Sequence, residues 1–75
     1  MDSMDGDDYR LTDADGATWL ILRAGRPLGD AALQRRVRRT LALCGLEGVI
    51  VSSMTGTSIF NGRLKKALYV EVAIG

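Results

Sequence analysis

Asn61-Gly62 constrains this chain more than any other pair of residues in it. Both residues accept the positive φ of a type I′ turn, so a two-residue hairpin loop is expected there. Pairing outward from that loop sets Phe60 opposite Arg63, Ile59 opposite Leu64, Val51 opposite Val72 and Val49 opposite Ile74. It gathers Val49, Val51, Ile59, Leu64, Leu68, Val70, Val72 and Ile74 on one face. A slip of one residue would scatter them, so the apolar pattern itself argues for the register. Gly56 lies among small hydroxylated residues, and it marks either a bulge or an opening of the strand into a loop.

The rest of the chain supplies what such a hairpin needs to pack against. Ala17–Arg23 reads as a strand rich in aromatic and branched residues, ended by Gly25 and Pro27. Residues 9–12 form a shorter strand before it, joined by the turn Asp13-Ala14-Asp15-Gly16. From about residue 30 to 44, Leu33, Val37, Thr40, Leu41 and Cys44 recur at three and four residues, the period of one helical face. Asp30 is the expected N-cap, with Gly29 its rival. Gly45 is placed to end the helix in the left-handed conformation, with Leu46 folding back onto Leu41. The expected fold is α+β in two layers: one helix on a four-stranded antiparallel sheet, in the chain order β-β-α-β-β. Residues 1–8 read as a flexible acidic arm, and 9–75 as a single domain.

Composition bounds the rest. A chain of 75 residues holds one domain, and at this size folding removes only about 60% of the unfolded surface from water. The apolar run at residues 19–22 is far short of the roughly 20 residues of a membrane helix. The opening residues are acidic where a signal peptide would be basic and then apolar. With a single cysteine, Cys44 is expected to be a reduced thiol and the protein cytoplasmic.

The chemistry-bearing side chains are sparse. There is no histidine, which removes the commonest general base and metal ligand and any Ser-His-Asp or Cys-His relay. Cys44 falls at the C-terminal end of an apolar helical face, where nothing stabilises a thiolate. Asp13 and Asp15 start like a calcium loop but lack its later ligands. Residues 52–58 are hydroxyl-rich but lack the Gly-Lys-Ser/Thr ending of a phosphate loop. No enzyme activity, cofactor, metal or small-molecule substrate is therefore expected.

Two features point to partners instead. The first is Arg35-Arg36-Val37-Arg38-Arg39. At 100° per residue Val37 faces the core, Arg35, Arg38 and Arg39 share the opposite face, and Arg36 lies on the flank beside Leu43. No glutamate stands four residues away to pair these charges, and like charges at this spacing repel. Guanidinium forks match phosphate and carboxylate geometry, so nucleic acid or an acidic protein surface would relieve the repulsion. Arg63, Lys65 and Lys66 extend the basic surface. The charge is also split along the chain. Residues 1–15 carry six acids and one base, whereas 16–75 carry nine bases and three acids.

The second feature is a sheet apolar on both sides, although one helix covers only one face. Trp19, Ile21, Met54, Phe60 and Tyr69 fall on the uncovered face. A half-solvated sheet alternates apolar with polar residues, so these five are expected to form a homodimer or protein interface. The alternative is that the long strands curl, or the arm folds back, to cover that face. The leading expectation is a small, dimeric binding module whose arginine helix meets an acidic partner. The second is an inhibitor or adaptor that docks through its apolar sheet face. Inhibitors of nucleic-acid machinery, the anti-CRISPR proteins among them, share this size and lack of catalytic groups.

Overall fold

A computed structural model describes Met4–Asp5, by backbone alone, and residues 8–75. The elements in chain order are β1 (Met4–Asp5), β2 (Tyr9–Ala14), β3 (Ala17–Arg23), α1 (Asp30–Leu43), β4 (Gly48–Phe60) and β5 (Arg63–Ile74). The strands form one antiparallel sheet, and α1 packs on one of its faces, so the α+β class holds. The helix falls between the two hairpins, as expected. Side by side, however, the sheet runs β1-β2-β3-β5-β4 and not in chain order. The last strand takes the inner place beside β3, and β4 becomes an edge. The residues explain the exchange. β5 buries Leu68, Val70 and Val72 on the helix side and Ala67 on the other, whereas most of β4 is exposed. The arm expected at 1–8 lies largely outside the described residues; within it, β1 pairs with β2 through Met4–Leu11 and Asp5–Arg10.

The helix-side core joins Leu33, Val37 and Leu41 of α1 to Leu11, Leu20, Leu22, Leu68, Val70 and Val72 of the sheet. The N-cap of the helix is Gly29 and not Asp30. Gly29 is extended, its carbonyl accepts from the amide of Leu33 at 2.9 Å, and no side chain caps the start. Asp30 instead sits in the first turn, where its charge favours the helix dipole. The C-terminus closes as expected: Gly45 has φ 73°, Leu46 N–H donates to the Leu41 carbonyl at 2.9 Å, and Gly45 N–H donates to Ala42 at 3.0 Å. No helix among the described residues is long and apolar enough to cross a membrane.

The second hairpin turns at Asn61-Gly62, and Phe60–Arg63 and Ile59–Leu64 pair as expected. The bulge falls at Val51, however, and not at Gly56, which stays in register opposite Ala67. Beyond the bulge the pairs become Ile50–Val72, Val49–Ala73 and Gly48–Ile74. The extra residue turns Ile50 inward, to pack against the core, and Val49 outward. Five of the eight residues expected in the core are therefore exposed: Val49, Val51, Ile59, Leu64 and Ile74. Val49 and Val51 are displaced by the bulge. Ile59 and Leu64 keep their register but lie at the hairpin tip, outside the core beneath α1.

That tip does not project straight. Thirteen residues at about 3.3 Å each would make β4 roughly 40 Å long, and the molecule's longest dimension is 31 Å. The hairpin bends, and its tip closes over the face opposite the helix. There Phe60 packs with Ile21, Ala67 and Tyr69 in a second small core. Arg10 of β2 reaches Ser58 of β4 at 3.3 Å across two intervening strands, which fixes the bend.

Candidate functional site

The outer face of α1 is built by the same periodicity that buries Val37. Val37 and Leu41 lie almost wholly inside, and Arg35, Arg38 and Arg39 stand in solvent around the far side. Among the described residues no carboxylate comes within ion-pair distance of these three guanidiniums. Together with Arg36, Leu28 and Ala32 they line an open groove of about 650 Å³. A lining of apolar and cationic side chains suits a ligand that offers carboxylates or phosphates beside apolar surface.

Arg36 does not belong with its neighbours. It is half-buried, and its guanidinium donates to the backbone carbonyl of Arg23 at the end of β3. It ties helix to sheet, a role that helical spacing alone does not reveal. Arg23 in turn stands 3.9 Å from the carboxylate of Asp8. Asp8, Tyr9, Arg36 and Arg39 line a second groove, between α1 and β2, of about 350 Å³. Asp8 thus stands at the flank of the basic helix.

The proposed basic extension divides. Lys66 points to the helix side, where it and Arg26 rim a groove of about 390 Å³ beside Thr55 and Thr57. Arg63 and Lys65 take the opposite side of the hairpin. Only Lys66 thus shares a side with the arginine helix.

The five residues expected as an apolar interface are not exposed together. Ile21 is 6% exposed and Phe60 3%, buried against each other by the bent hairpin. Tyr69 is half-buried and its hydroxyl donates to the Thr57 carbonyl. Trp19 is half-buried, and only Met54 is freely exposed. The curled-strand alternative describes this face. Exposed apolar surface gathers instead along β4, at Val49, Val51, Met54 and Ile59. A signal for it was present in the sequence: residues 48–60 contain no charged residue and no proline.

No known protein family model matches this chain, and no characterised protein or solved structure is similar to it at a significant level.

Proposed function

We propose that this chain is a non-enzymatic binding module that presents Arg35, Arg38 and Arg39 of α1 to an acidic partner. The observation that carries the reading is that, among the described residues, no carboxylate pairs with three neighbouring guanidiniums on a well-packed helix. The apolar side chains of Leu28 and Ala32 in the same groove favour an acidic protein surface over a bare phosphate backbone. Arg36 is excluded from the contact set, because its guanidinium is already engaged.

The test uses the triple variant Arg35→Glu/Arg38→Glu/Arg39→Glu, with circular dichroism to check its fold. Wild type and variant are titrated with duplex DNA and with poly-glutamate over a range of salt. A poly-glutamate complex that the triple variant abolishes supports the reading and places the partner among acidic proteins. A DNA complex whose log K falls with log salt at a slope of about −2.7 indicates three phosphate contacts and a nucleic-acid partner. If the triple variant binds both polyanions as the wild type does, the arginine face is not the site.

A further inference from the structure

The two edges of the sheet are built differently. At one edge stand β1 and β2. β1 is two residues long, and β2 carries Arg10 and Asp13 with Asp8 and Asp15 flanking it. A short strand with charges is the ordinary way in which a protein stops a sheet from adding strands. At the other edge stands β4, thirteen residues long and lacking Asp, Glu, Lys, Arg and Pro altogether. β5 pairs with one side of β4, and among the described residues no strand pairs with the other. Val49 is 66% exposed, Val51 57% and Met54 56%, and Ile59 is exposed as well. The bulge at Val51 interrupts this edge and the Tyr69 hydroxyl donates to its Thr57 carbonyl, while Ser52–Phe60 continues past the bulge in regular register. An edge this long, uncharged and apolar is a template for another strand.

We propose that β4 pairs antiparallel with β4 of a second copy of this chain, making a two-fold dimer with one continuous sheet. Self-pairing is favoured by the side chains. A foreign strand is selected by charges placed opposite one another, and β4 offers none. A second β4 meets no like charge. Val49, Ile50 and Val51 sit toward one end of the strand and Ile59 toward the other, with Met54 among Ser52, Ser53, Thr55 and Thr57 between them. A two-fold axis near Thr55 sets Val51 of each copy beside Ile59 of the other, with Thr55 facing Thr55, Met54 facing Gly56 and Ser53 facing Thr57 at the centre. Stability gives a further reason, since domains of this size commonly gain stability by association.

The symmetry has a consequence for the arginine helix, one that rests on the function proposed above. Two antiparallel edge strands in one sheet are related by an axis normal to the sheet, so both copies of α1 lie on the same side. With strands about 4.8 Å apart, helices seated over β3 and β5 stand roughly 20 Å from one another. The dimer thus offers two arginine faces to one long or repetitive acidic partner.

The test is sedimentation of the protein alone, without any ligand, so that it stands or falls apart from the polyanion titration. The wild type is expected at twice the chain mass of 8.1 kDa. Val51→Lys and Ile59→Lys, both at exposed positions and so compatible with the monomer fold, are each expected to raise the dimer dissociation constant at least tenfold. Val51→Lys/Ile59→Glu, which sets opposite charges across the pairing, is expected to restore the dimer. A wild type that stays monomeric at millimolar concentration overturns the proposal. So does a dimer that both lysine variants leave intact, or one that the double variant fails to restore.

Discussion

The two hairpins share a turn and differ in nearly everything that follows from length. Each reverses through two residues of positive φ, Asp15 and Gly16 in one, Asn61 and Gly62 in the other. β2 and β3 have six and seven residues, and β3 lies under the helix, where Leu20 and Leu22 are fully buried. β4 and β5 have thirteen and twelve. A helix of fourteen residues is about 21 Å long, so it covers about half of the longer hairpin. The uncovered half bends and buries Phe60 on the back of the shorter one. Mismatched layer lengths, in other words, decide where apolar surface is hidden and where it is left. Phe60 and Ile21 are hidden, and the edge of β4 is left.

The sharpest way to break the comparison is Phe60→Ala. Phe60 is the largest fully enclosed side chain of the second core, and truncating a buried phenylalanine costs about 3–5 kcal/mol. A typical domain is stable by about 5–15 kcal/mol, so the midpoint of urea unfolding should fall steeply. Amide exchange should show where the loss lies. Protection is expected to vanish first in residues 55–66 while the amides of α1 and β3 keep theirs. Uniform loss would mean that the tip and the helix-side core are one cooperative unit and not two.

Most of the helix-side layer was legible in the sequence, because it rests on local chemistry. The period of Leu33, Val37 and Leu41, the Gly45 stop and the two turn dipeptides each act over a few residues. What was not legible was global. The bulge at Val51 depends on how β4 must bend to stay paired with β5, and nothing in Val49-Ile50-Val51 singles out one residue to be extra. The inner place of β5 depends on comparing the two faces of both long strands. The bend that buries Phe60 depends on the length of a helix elsewhere in the chain. The arginine face was legible as a stripe, yet the anchoring of Arg36 to Arg23 required the end of β3 to be placed beside it.

A second pair of substitutions sharpens the contrast within β4 itself. A Cβ added at Gly48 would stand 2.7 Å from the backbone carbonyl oxygen of Ala73, with Ile74 and Leu41 close behind. A Cβ at Gly56 would meet the ring of Tyr69 at 2.9 Å, a side chain that can shift. Overpacking of this kind costs about 1–3 kcal/mol. Gly48→Ala is expected near the top of that range and Gly56→Ala near the bottom, measured by thermal unfolding. The reverse order would mean that the Tyr69 ring is held rigidly by its hydroxyl contact to Thr57, and the bend with it.

The smallest expected effect isolates the turns. Gly16 and Gly62 have φ values of 78° and 75°, and a Cβ at either would meet no atom within 4 Å. Gly16→Ala and Gly62→Ala therefore differ from the wild type only in backbone strain, about 1–2 kcal/mol for an L-residue in the left-handed region. The two costs should agree in matched urea titrations. Equal costs would place the whole difference between the hairpins in their length and cover. A larger cost at Gly62 would have a specific meaning, because Phe60 enters the second core two residues before it. The turn would then set the angle at which the tip closes, and the bend would begin at Asn61-Gly62 and not at the bulge.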